Sequence, residues 1–163
     1  MRVLVFFLLF LNGCISYQSG QQVDVSQLES YPVSRVVDGD TFWVDDGSKK
    51  GMKIRLLCID APELRATRHK EKGEYAEEAT AYLTELISDR SVRLEYDVQR
   101  YDQYKRVLAH VYLEDGTYVN GEMIRNGYAQ VVTYQPNVMH VDELLVLQKE
   151  AQRKGRGLWK LAY

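Results

Sequence analysis

Residues 33–63 read VSRVVDGDTFWVDDGSKKGMKIRLLCIDAPE. Val33 to Val44 is rich in valine, threonine and aromatic residues, which suit a pleated, half-buried surface. Asp38-Gly39-Asp40 interrupts that run, and Asp45-Asp46-Gly47-Ser48 is a turn signal after it. Lys53 to Ile59 reads as another strand. Asp60-Ala61-Pro62 ends it, because a residue before proline is pushed to extended geometry. The pattern is that of short strands joined by tight turns.

Outward from this stretch the same grain continues. After Gly73, residues Tyr75, Ala76, Ala79, Tyr82, Leu83, Leu86 and Ile87 recur at three and four, which predicts a helix with one buried face. Val92, Leu94 and Tyr96 alternate within Ser91 to Asp97, a half-buried strand. Arg106 to Leu113 is a further strand, closed by Glu114-Asp115-Gly116. Val119 to Asn126 reads as a short helix with Gly127 in its C-terminal cap. Tyr128 to Tyr134 reads as a short strand, and Val141 to Lys154 as a last helix closed by Gly155. No run of parallel βαβ units is present. The expectation is a small α+β domain built on a closed barrel of about five strands.

Composition narrows the class. The 163 residues are 45% hydrophobic and 27% charged, so one core can form and the chain is neither a membrane bundle nor a disordered polyampholyte. Two cysteines are too few for a disulfide scaffold or a cysteine-rich zinc site. The formal net charge of -2 is no general magnet for polyanions. Nucleic-acid binding would need a local basic patch or a bound cation.

The N-terminus reads as a processing segment. Val3 to Leu11 is an unbroken apolar run after Met1-Arg2, too short for a stable span but of the length of a signal-peptide core. Leu11-Asn12-Gly13-Cys14 resembles the bacterial lipoprotein lipobox, which would make residues 1–13 a signal peptide and Cys14 the lipidated residue. An ordinary secretory signal and an uncleaved anchor are the other readings. Residues 14–30 are polar, rich in serine and glutamine, and read as a flexible tether. The expectation is an exported lipoprotein held to a membrane and facing the periplasm or the exterior. Cys58, in an apolar run, is expected to be a buried free thiol.

Four clusters could do chemistry. Asp38-Gly39-Asp40-Thr41 alone is a turn. Arg55 lies within an apolar strand, sharing a face with Leu57 and Ile59. Turned inward it needs a partner or a bound anion, and at a strand edge it needs neither. Asp60-Ala61-Pro62-Glu63 sets two carboxylates around a main-chain carbonyl, the oxygen chemistry that hard cations take. Asp102-Gln103-Tyr104-Lys105-Arg106 is a charged turn leading into a strand. Together they suit phosphoryl transfer. Two guanidinium groups clamp phosphate oxygens, a cation offsets their charge, and a carboxylate activates water.

The order and spacing of Val36-Val37-Asp38-Gly39-Asp40-Thr41, Ile54 through Glu63 and Asp102 through Arg106 resemble the staphylococcal nuclease (thermonuclease) family. Ala151 through Gly157-Leu158-Trp159 resembles that family's closing helix and Gly-Leu-Trp. The resemblance covers residues 31–160. It implies a five-stranded OB-fold β-barrel with three helices, and calcium-dependent hydrolysis of DNA or RNA. By motif position it implies calcium ligands at Asp40 and Asp60 through side chains and at Ala61 through its carbonyl. Glu63 would act on the nucleophilic water, and Arg55 and Arg106 would bind the phosphate. Tyr104 and Tyr134 would line the nucleotide pocket.

Two departures stand out. Lys105 occupies the place where the family usually has glycine, and the stretch from Gly127 to Pro136 is one residue shorter than in the best-known member. Arg68, Lys70 and Lys72 in the basic segment after Glu63 are candidate phosphate contacts, against the plain reading of a solvated loop. His69, His110 and His140 are scattered and receive no role. No protein partner is expected, and a monomer is the expected state. The rival reading is a silent OB-fold module that binds single-stranded nucleic acid or a protein.

Overall fold

A computed structural model describes residues 23–64 and 73–161. Seven strands form in chain order: β1 (Glu29–Asp38), β2 (Thr41–Val44), β3 (Met52–Leu56), β4 (Ile59–Asp60), β5 (Ser91–Glu95), β6 (Val107–Leu113) and β7 (Gln130–Val131). Three helices join them: α1 (Ala76–Ile87), α2 (Val119–Arg125) and α3 (Val141–Arg153). Short 3-10 helices lie at Val25–Gln27 and Gly157–Leu161.

The five longer strands close into a barrel in the order β1-β2-β3-β6-β5. Every neighbour is antiparallel except β3 and β6, which run parallel. This is the α+β architecture of an OB-fold, a partly open Greek-key barrel of five strands. Alternation sets the faces. Phe42, Val44, Ile54, Leu56, Val92, Leu94, Val107, Ala109 and Val111 all point into the barrel and are buried. Their neighbours along β2 and β3, Trp43, Lys53 and Arg55, therefore take the outer face.

The helices cover the barrel. Ala76, Ala79, Leu83 and Ile87 form the buried stripe of α1, as the periodicity predicts, and α1 lies against β1 and α2. Helix α2 packs on α3 and β6. Buried Asn120 pins α2 in place: its amide donates to the Leu57 carbonyl at 2.9 Å and its oxygen accepts from the Val111 N–H at 3.0 Å. Removing one partner from such a buried pairing costs about 1–3 kcal/mol. Gly127, after α2, has φ +74, and a Cβ there would meet the Arg156 carbonyl oxygen at 2.2 Å. Only glycine lets the end of α2 press so closely on the C-terminal segment.

Three differences from the sequence reading have local causes. The predicted strand Lys53 to Ile59 breaks at Leu57-Cys58, because Cys58 adopts φ +60. The chain turns there, and Ile59 and Asp60 pair instead with Val131 and Gln130. Arg55 thus does not share a face with Leu57 and Ile59. The predicted strand Tyr128 to Tyr134 shrinks to the two residues of β7, since only they find that partner. Strand β1 begins at Glu29, inside the stretch read as a tether, where Arg93 donates to the carbonyls of Ser26 and Leu28.

Candidate active site

The turn between β1 and β2 is built by its own side chains. Asp38 Oδ1 accepts from the Asp40 N–H at 3.2 Å, an aspartate-stabilised turn. Gly39 packs against the protein so closely that a Cβ would meet the Cβ atoms of Ala61 and Ala79 at 2.7 and 2.9 Å. The turn therefore drives the Asp40 carboxylate inward, where its Oδ1 accepts from the Thr41 hydroxyl and its Oδ2 from the Ala61 N–H at 2.8 Å. Burial lifts the Asp40 pKa to about 7, against the pull of Arg55 and with a further push from Asp38. More negative charge is gathered here than one guanidinium offsets.

Arg55 reaches this cluster from β3, whose register places it opposite Thr41. Its Nη1 lies 2.7 Å from Asp40 Oδ2 and its Nη2 2.8 Å from Asp60 Oδ1. Nη1 also donates to the Ile59 carbonyl at 3.0 Å. The break at Leu57-Cys58 folds Asp60 and the Ile59 carbonyl back over Arg55, so the turn that shortened β3 also supplies its partners. A charge placed among apolar strands is tolerated because both Nη atoms meet oxygens.

The second arginine sits just before the adjoining strand, β6. Val107 pairs with Ile54 and Leu108 with Arg55. Arg106 precedes them and shares the parity of Leu108, so it emerges on the same outer face as Arg55. Asp102 holds it: Oδ2 accepts from Arg106 Nε, and Oδ1 from the N–H groups of Tyr104 at 2.8 Å and Arg106 at 2.9 Å. The Asp102 carboxyl titrates below its ordinary value. Burial raises it, and the N–H and guanidinium of Arg106 outweigh that. Lys105 has φ +63, the left-handed conformation that glycine adopts without strain.

Glu63 follows β4 by three residues and lines a groove together with Asp38. Tyr104 and Tyr134 are 71% and 75% exposed, so neither is a core residue. The Arg106 guanidinium lies 5.4 Å from the Tyr104 ring centre. Arg68, Lys70, Lys72 and Cys14 lie outside the described residues. Ion pairs and hydrogen bonds thus unite Asp40, Arg55, Asp60 and Ala61, and register adds Arg106. Sequence reasoning missed Asp38 and Asp102 as parts of the site. The spacing of an aspartate four residues before an arginine across a turn was the available signal for Asp102.

Among the described residues no group of three His, Cys, Asp or Glu side chains stands ready as a metal cage. The donor set still suits a hard divalent cation. It holds two carboxylates, Asp40 and Asp60, a main-chain carbonyl at Ala61, and a surplus of negative charge. Such cations accept carboxylate and carbonyl oxygens and keep waters for the rest.

Comparison with known proteins gives the family. Residues 53–161 match the family model described as Staphylococcal nuclease homologue. The chain is 33% identical over 131 residues to a thermonuclease of Staphylococcus hyicus, covering 80% of this chain and 76% of that protein. It is 35% identical over 133 residues to the thermonuclease of Staphylococcus intermedius, covering 81% and 77%. An uncharacterized endonuclease of Escherichia coli is 43% identical over 127 residues, covering 78% and 74%.

Proposed function

The chain belongs to the staphylococcal nuclease family, and on that premise we propose that it is a calcium-dependent phosphodiesterase hydrolysing DNA or RNA. The observation that carries the reading is one arginine on β3 and a second just before β6, the adjoining strand, beside a cluster of acids of which Asp40 is buried. Phosphodiester hydrolysis places growing negative charge on the attacked group. Preorganised guanidinium donors stabilise that charge better than water does. Asp40, Asp60 and the Ala61 carbonyl would hold the calcium. When bound, the ion supplies positive charge to a phosphate oxygen and offsets the local acids.

The remaining steps belong to the chain's own side chains. Glu63 takes a proton from the attacking water. The water oxygen bonds to phosphorus as the opposite phosphorus–oxygen bond breaks, and the leaving oxygen ends protonated. Arg106 approaches the phosphate through its two Nη groups, because Asp102 engages only its Nε. Arg55 orients the acid cluster and reaches the phosphate from its edge. Tyr104 and Tyr134 offer exposed rings to a base, a contact tolerant of sequence.

Export as a lipid-anchored protein, with a signal peptide over residues 1–13, is part of the same proposal. Cys14→Ala should release the protein from membranes and abolish incorporation of labelled palmitate. For the chemistry, Glu63→Gln should lower the rate by about 10²–10⁴-fold while circular dichroism shows the fold intact. Near-normal turnover by that variant would remove the general base from the mechanism.

A further inference from the structure

The outer wall of the barrel carries a second chemical feature beside the acid cluster. Register sets Arg35 of β1 opposite Trp43 of β2, and Trp43 opposite Lys53 of β3. The three side chains form one transverse row. The next row toward the acids pairs Asp38 with Thr41 and Thr41 with Arg55, about 7 Å along the strands. The Arg35 guanidinium lies 5.0 Å from the Trp43 ring centre, and the Lys50 ammonium 5.9 Å. A groove of about 450 Å³ runs over these rows, lined by Arg35, Trp43 and Lys53 and by Asp38 and Glu63.

The cations along the groove make ring contacts with Trp43 through Arg35 and Lys50. Among the described residues the ion pairs include none of Arg35, Lys50 or Lys53. Asp45 and Asp46, nearest in the chain, turn their carboxylates to the N–H groups of Gly47 and Ser48 at the hairpin tip. An aromatic ring flanked by cations, continuous with a phosphate-handling site, matches one occupant: a single strand of nucleic acid. A base has a flat face for the ring, and the phosphates on either side meet the cations. The cations near Trp43 sit on long, exposed or half-exposed side chains and can swing from the ring to phosphate oxygens.

We infer that Arg35, Trp43, Lys50 and Lys53 form an extended subsite that stacks a base and binds phosphates of a single strand beyond the reacting phosphodiester. The inference rests on the phosphodiesterase reading, since Asp38 and Glu63 line the same groove. It makes affinity depend on strand length, because a mononucleotide with its base against Tyr104 does not reach Trp43.

The test is binding of oligothymidylates in excess chelator, so that nothing is cleaved, followed by tryptophan emission and anisotropy. Long strands should bind more tightly than a mononucleotide and quench Trp43. Trp43→Ala should weaken long-strand binding at least about fivefold and leave mononucleotide affinity unchanged, whereas Trp43→Phe keeps most of the gain. Lys53→Gln, on an exposed face, should lower the salt slope by about 1. Long-strand affinity equal to wild type in both Trp43→Ala and Lys53→Gln overturns the inference, as does a wild type that shows no gain with length. If in either case the wild type still cleaves denatured DNA with calcium, only the groove is lost. A wild type that neither binds nor cleaves takes the phosphodiesterase reading down with it.

Discussion

The two arginines of the site are held in opposite ways. Arg55 is locked into the barrel, its Nη1 and Nη2 committed to Asp40, Asp60 and the Ile59 carbonyl. Arg106 stands on a turn, tied through one carboxylate and closed by a left-handed Lys105. The barrel-held half is a structural ion-pair network as well as a site. The turn-held half contributes little to the fold and keeps its Nη groups for a ligand. Arg55 therefore couples activity to stability, and Arg106 separates them.

The sharpest way to break this contrast is to truncate each arginine. Arg55→Ala leaves two acids without their cation and should cost about 3–5 kcal/mol in urea unfolding, with nearly all activity lost. Arg106→Ala should lose about 10²–10³ in kcat with stability within about 1 kcal/mol of wild type. Equal destabilisation by both would erase the distinction.

Acid should act mainly through a third region on which the turn-held half leans. Asn137 binds the backbone of Gln99, and Asp97 accepts from the Met139 N–H, tying the approach to Asp102 to the start of α3. Beneath lie His140 against Glu95 and His110 against Tyr118. Burial, with help from His140, depresses His110 from 6.5 to about 3, and its Nε2 has no partner. Above pH 6.5 both states hold His110 neutral. As pH falls toward 3 the unfolded chain takes up a proton that the folded chain refuses, so stability drops through that window. His110→Phe should flatten this slope in thermal melts across pH 3–6.5. An unchanged slope would place the acid response elsewhere.

Smaller effects sharpen the turn-held half. Asp102→Asn weakens the grip on Arg106 Nε and should lower kcat/KM about tenfold with little change in Tm, an effect of positioning. Lys105→Gly should raise stability by about 1 kcal/mol, since the residue sits at φ +63, and should leave kcat near wild type. A fall in activity instead would make the lysine a phosphate contact.

These contrasts also mark what was legible beforehand. The barrel was readable because β-favouring runs end at turn signals and Val92, Leu94 and Tyr96 alternate, and these are local properties. Asp40, Arg55, Asp60 and Arg106 were readable as a pattern of residue types. The turn at Cys58 was not, because cysteine carries no signal for positive φ and the turn exists only through β7. That one turn decided what Arg55 binds. Asp38 and Asp102 were passed over as ordinary turn aspartates, and their value lies in the groups they hold. The His110 and His140 neighbourhood joins β6 to the start of α3, a contact that no sequence spacing announces.

The central claim meets its most direct test in hydrolysis of denatured DNA by the soluble protein spanning residues 15–163. It would be assayed with calcium, with excess chelator, and with calcium restored. The account predicts cleavage that requires calcium and returns with it. A folded protein that leaves the DNA intact in calcium, or cleaves it equally in chelator, would contradict the account.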